Sequence, residues 1–212
     1  MSRASNRLLL ALSGAAFAAL AGLVASGALD GFDQWACDHL MPLAGGTPGP
    51  PSILESLVPL FHALWHPAGV AVTQIVTLPG QVLISFALVA AAAWKCRVPA
   101  WIVAWFGSTA VEFGIRQVLT RPTALYRGGV HLTGFDSSWP SGHALRCALV
   151  AAALAAAWPR ARAALAAWLA VSVVLLEIAG FHTPTDVAGG LLLALFAWRA
   201  AGARPARALR EA

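Results

Sequence analysis

Six long apolar runs dominate this chain and leave few folds open to it. They are Leu8 to Leu29, Gly80 to Trp94, Val98 to Leu119, Gly142 to Trp158, Ala163 to Phe181 and Val187 to Ala201. A helix that crosses a bilayer needs about 20 apolar residues, and the shorter runs reach that length by extending into their flanks. All are rich in Ala and Leu and lack the alternate-residue pattern of barrel strands, so each predicts a helix. Only 11% of the 212 residues are charged and 59% are hydrophobic, against roughly 25% charged in a soluble domain. A chain so poor in charge cannot cover a water-facing surface. The expectation is an all-α fold: a polytopic membrane helical bundle of about six transmembrane helices, forming a single domain over residues 1–212.

Charge sets the expected topology. The segment 30–79 contains a Gly- and Pro-rich loop from Gly45 to Pro51 and an apolar stretch, Ser56 to Leu78, interrupted by Pro59, His62, His66 and Pro67. That stretch reads either as a seventh span or as an amphipathic piece at the interface. Lys and Arg collect on the cytoplasmic side of membrane proteins. Six spans with the N-terminus inside place Arg3, Arg7, Lys95, Arg97, Arg160, Arg162, Arg199, Arg204, Arg207 and Arg210 on that side. The loop 30–79 is then external and carries Asp30, Asp33, Asp38 and Glu55 with no basic residue. A seventh span would put eight of those ten basic residues outside, so six is the expected number. Trp94, Trp101, Trp158 and Trp198 lie near helix ends, as interfacial belts require. Residues 202–212 form a basic cytoplasmic tail suited to anionic lipid heads. The first run, preceded by Arg3 and Arg7 and followed by Ala25-Ser26-Gly27, is long for a signal peptide and is read as a retained membrane helix.

Other classes fit less well. The net charge is +5, but the basic residues are scattered between apolar runs, so no nucleic acid partner is expected. Cys37, Cys96 and Cys147 are far apart and odd in number, which argues against a disulfide framework. A metal-dependent hydrolase would draw on His39, His62, His66, His131, His143 and His182. Only His62 and His66 show a ligand-like spacing, so neither metal nor cofactor is expected.

Four arginines break the inside pattern: Arg116, Arg121, Arg127 and Arg146. They flank the remaining polar residues of the outer side, Asp136, Ser141, His143, His182 and Asp186, and ionisable groups at such depths default to functional hypotheses. Trp139-Pro140-Ser141-Gly142-His143 opens a helix. Ser141 can cap it, Gly142 allows close backbone approach, and the free N–H groups and positive dipole end favour phosphate. In His182-Thr183-Pro184-Thr185-Asp186, Thr183 can cap a helix that Pro184 begins. Asp186 stands four residues from His182, so its carboxylate can reach one imidazole nitrogen and leave the other the better nucleophile. Arg116 and Arg121-Pro122 end the third run, and arginine recognises phosphate oxygens through its planar fork. Each motif alone also reads as an ordinary cap or interfacial anchor.

In order and spacing the three motifs resemble the membrane phosphatidic-acid-phosphatase type 2 superfamily, relatives of the vanadium haloperoxidases. That family's pattern is a Lys…Arg-Pro segment, then Pro-Ser-Gly-His, then Ser-Arg followed by His and Asp four apart. The resemblance covers Glu112 to Gly190. Pro140 to His143 match completely, as do His182 and Asp186, with Gly180 two residues before the histidine. The resemblance implies an integral membrane phosphatase acting on a lipid phosphate or pyrophosphate, with its active site on the external, periplasmic face of the cell membrane. It implies that His182 attacks phosphorus to form a phosphohistidine, that Asp186 orients it, and that His143 protonates the leaving oxygen and then activates water. Arg121, Arg116, Ser141 and Gly142 would hold the phosphate oxygens. Two departures stand out. The family's lysine falls at Gly114, with Arg116 the nearest cation. Its Ser-Arg pair falls at Leu175 and Leu176, followed by Glu177. Arg146 or Arg127 could supply the missing cation; Arg146 could equally form an ion pair with Glu177 or Glu112. The alternative to catalysis is a lipid-phosphate binding or transport protein on the same scaffold.

Overall fold

The computed structural model describes residues 3–40, 71–119, 138–179 and 181–202. Every regular element among them is a helix. Those whose bounds lie within the described residues are, in chain order, α1 (Arg3–Ala25), α2 (Asp30–Leu40), α3 (Val82–Cys96), α4 (Ala100–Val118), α5 (Gly142–Ala157), α6 (Arg162–Ile178) and α7 (Pro184–Ala200); residues 71–76 are helical too. One-turn 3-10 pieces precede α3 (Leu78–Gly80) and α6 (Pro159–Ala161). Each apolar run read from the sequence coincides with a helix. Two, Ala4–Ala25 and Pro159–Ile178, are long and apolar enough to cross a membrane; Val82–Cys96 and Gly142–Ala157 are shorter apolar helices. The 15 residues of α3 extend only about 22 Å at 1.5 Å per residue. Helix α4 has 19 residues but carries Glu112 and Arg116 in its last two turns.

Local chemistry explains the breaks. Arg97 adopts a left-handed conformation at φ 54°, and Val98 N–H reaches back to the Ala93 carbonyl at 2.9 Å, closing α3 in the manner of a Schellman turn. Pro99 and Pro159 then start the next elements, because proline cannot continue the helix before it. Gly27, at φ 72°, turns the chain from α1 into α2.

Helix α5 is the hub, packed against α3, α4, α6 and α7, while α1 lies along α7. The core joins Val89, Trp101, Trp105, Leu145, Leu149, Val150, Leu193 and Ala197. Small residues let α5 and α7 approach closely: a Cβ on Gly190 would strike the Ser141 carbonyl, and one on Gly189 would meet the Trp139 indole. Apolar side chains also cover much of the outside. Trp94 is 87% exposed, Leu83 80% and Val103 71%.

Contacts at the two ends show how the helices run. Lys95 lies 4.9 Å from the Trp158 ring, Trp101 contacts Trp198, and Asn6 donates to the Arg199 carbonyl. The C-termini of α3, α5 and α7 therefore meet the N-termini of α1 and α4 at one end, which is basic and aromatic. The N-termini of α3, α5 and α7 and the C-terminus of α4 meet at the other.

Candidate functional site

At that second end, two helix N-termini lie side by side. Trp139-Pro140 enters α5 through a cis peptide, and the Ser141 N–H donates to the Asp186 carbonyl at 2.9 Å. The Trp139 indole donates to the Thr185 carbonyl at 3.1 Å and stacks on Phe17 of α1 at 5.2 Å. The two motifs, more than 40 residues apart in sequence, are thus joined through backbone. The His143 and His182 ring centroids stand 6.2 Å apart.

The two N-termini are finished differently. Ser141 Oγ accepts from Ala144 N–H at 3.2 Å and the Ser141 carbonyl accepts from Leu145 N–H. The amides of Gly142 and His143 have no partner among the described residues. In α7 every early donor is used. Pro184 has none, Thr185 N–H donates to Asp33 Oδ1 at 3.3 Å, Asp186 N–H to Thr183 Oγ1, and Val187 N–H to the Thr183 carbonyl. Asp186 Oδ2 in turn accepts from Thr183 N–H at 3.0 Å, completing a capping box. Of the two, α5 is the one whose early amides, Gly142 and His143, lack partners among the described residues, the feature that favours an anion at a helix N-terminus.

His182 is 6% exposed. Its Nδ1 lies 3.7 Å from Asp186 Oδ2 and makes no hydrogen bond. A movement of about 0.7 Å would bring the pair to bonding distance. His143 is half-buried, and its Nε2 lies 3.3 Å from Gln81 Nε2 at the start of α3.

Beneath Gly142 lies a buried charge cluster. Glu112, fully buried, pairs with Arg146 Nη1 at 2.7 Å and with Arg116 Nε at 3.2 Å. Arg146 also donates through Nε to the Gly80 carbonyl at 2.8 Å. A Cβ on Gly142 would collide with the Glu112 carboxylate and the Arg146 guanidinium, so any larger residue there would have to displace this ion pair. Of the two roles open to Arg146, the ion pair with Glu112 is the one observed. Arg116 keeps 20% of its side chain exposed at the same end as the histidines.

Leu176, where the family pattern has arginine, is 2% exposed and packs with Ala144, Val187, Val173 and Leu191. Its carbonyl accepts from both Phe181 and His182 N–H, so it braces the histidine turn through backbone. Arg121, Arg127, Gly180, His62, His66 and His131 lie outside the described residues. Among the described residues, no group of three or more His, Cys, Asp or Glu could hold a metal ion.

Gln81, Trp139 and Asp33 take part in the site's contacts although no motif assigns them a role. Trp139 adjoins a motif, and its indole N–H calls for a buried partner. Asp33 is 152 residues from Thr185, and no local pattern signals that contact.

No protein-family model matches the chain, and neither a curated protein nor a solved structure matches it.

Proposed function

We propose that the chain is a multi-pass membrane phosphatase that removes phosphate from a lipid phosphate or pyrophosphate at the external face. The observation that carries this reading is the pair His143 and His182, 6.2 Å apart, beside the unpaired amides at the start of α5, with Arg116 at the same end. The motif resemblance gives the pair its roles. The alternating helix directions support six crossings, which put the basic termini inside and both histidines outside.

In the proposed reaction the phosphate lies on the Gly142 and His143 amides, with Ser141 and Arg116, joined by Arg121, on its oxygens. The free nitrogen of His182, Nε2, attacks phosphorus as the bond to the leaving oxygen breaks, and His143, protonated beside the bound phosphate anion, delivers a proton to that oxygen. Asp186 closes on Nδ1 as the ring becomes cationic. His143, now neutral, takes a proton from water, which attacks the phosphohistidine and releases phosphate and free His182. Holding the charge on the transferring group is the main task of such a site.

Leu176 and the 3.7 Å separation of His182 from Asp186 favour a second reading, in which the site binds or moves a lipid phosphate without hydrolysing it. The two are separated by phosphate release from phosphatidic acid, a phosphatidylglycerol phosphate and an isoprenoid pyrophosphate in detergent, with His182→Ala as reference. Release from at least one, lost in the variant, supports the enzyme. Saturable binding of these lipids with no release supports the binder.

A further inference from the structure

We infer that Asp33 is a positioning residue for the histidine turn, acting through Thr185; the inference rests on the assignment of His182 as nucleophile. Asp33 is fully buried in the first turn of α2. Its Oδ1 accepts from Thr185 N–H at 3.3 Å and its Oδ2 from the Thr185 hydroxyl. The Thr185 carbonyl is taken by the Trp139 indole, and its hydroxyl lies 3.4 Å from that of Thr183. All three polar groups of Thr185 are therefore fixed from outside α7, two of them by Asp33. Thr185 sits between Pro184 and Asp186, so fixing it sets the carboxylate that caps Thr183 and faces His182.

Asp33 cannot serve as a phosphate contact, because its charge has the wrong sign and both oxygens are turned onto the α7 N-terminus. There a carboxylate is stabilised by the helix dipole and by charge-assisted hydrogen bonds. Its effect on the neighbouring anion site is to occupy the α7 amide that would otherwise compete with α5 for the phosphate. Helix α2 is held by this contact on its buried side, where Ala36 is also fully buried, while Phe32 and Trp35 remain about half exposed on the other.

The test uses the full-length protein in detergent and compares wild type with Asp33→Asn, Thr185→Val and Asp30→Asn. Asp30 shares the first turn of α2 but is not bonded to Thr185, so its variant controls for changes in α2 itself. Turnover and KM are measured on the best lipid phosphate, and the His182 ring is followed by nitrogen NMR with labelled histidine, His182→Ala giving the assignment. Asp33→Asn should lower kcat by about tenfold to a hundredfold, as misplacement by up to about 1 Å does, with KM within about twofold. It should also shift the His182 ring resonances. Thr185→Val should move both readouts the same way, and Asp30→Asn neither. Wild-type kcat and unmoved His182 resonances in Asp33→Asn would overturn the inference, as would a loss that merely tracks the folded fraction. Should Asp33→Asn fail to fold, Thr185→Val decides by the same readouts. A wild type without phosphatase activity removes the proposed function, and the resonances alone then decide on Asp33.

Discussion

Replacing Glu112 by glutamine tests the buried charge cluster, because it removes one negative charge from between two arginines. Arg146 is 5% exposed and has two partners, the Glu112 carboxylate at 2.7 Å and the Gly80 carbonyl at 2.8 Å. In Glu112→Gln it would remain a buried cation with one neutral acceptor and at best a second. Breaking a buried pair from one side costs about 3–5 kcal/mol. Arg116 lies near solvent and can rehydrate, so its share is under about 1 kcal/mol. The expected loss is about 3 kcal/mol or more, measured as denaturant unfolding in a fixed detergent, with tryptophan fluorescence as probe. Arg146→Met should cost less, because Glu112 keeps Arg116. The double variant should be more stable than the sum of the single changes predicts, by about 1–3 kcal/mol. A Glu112→Gln protein within about 0.5 kcal/mol of wild type, with an additive cycle, would refute the claim that Glu112 holds Arg146.

Other outcomes follow from the same geometry. Leu176→Arg restores the family's arginine in sequence only: its side chain enters the contact between Ala144 and Val187, so it should destabilise by about 2 kcal/mol or more without raising turnover; faster phosphate release would show that the turn can open toward the phosphate. His143→Ala should slow turnover severely, and substrates with a good leaving group should recover part of the loss, because they need less protonation; equal loss on all substrates would remove His143 from the acid role. A chelator should leave activity intact and vanadate should inhibit, since vanadate adopts the five-coordinate geometry of phosphoryl transfer; activity lost to chelator and restored by zinc or magnesium would favour metal chemistry. On intact cells an impermeant thiol reagent should label Gln81→Cys and spare Arg160→Cys, both exposed positions, and the reverse pattern would invert the topology.

The helices were legible because their signal is continuous: each apolar run carries its own hydrogen bonds and needs no distant partner to be recognised. The caps Ser141 and Thr183 were legible for the same reason, since a cap and its target are three residues apart. What escaped was long-range pairing. Glu112 and Arg146 are separated by 34 residues, and sequence alone left Glu112 and Glu177 as equal partners for that arginine. Geometry decides between them because α4 and α5 meet at Gly142, where no side chain stands between Glu112 and Arg146. Asp33 was counted as one of several external acids, and only the packing of α2 on α7 distinguishes it from Asp30. The difference between the open N-terminus of α5 and the closed one of α7 was equally hidden, since both begin with a good cap.

Trapping the phosphoryl group on the protein decides whether His182 carries it. Purified protein is mixed with a phosphorus-labelled lipid phosphate, quenched in base within milliseconds to seconds, and digested for mass spectrometry. A histidine phosphoamide bond survives base and is lost in acid. An acid-labile label is expected on the peptide containing His182, absent from His182→Ala and accumulating in His143→Ala when the substrate has a good leaving group. Phosphate release without any labelled His182 peptide, or label on another residue, would contradict His182 as the carrier.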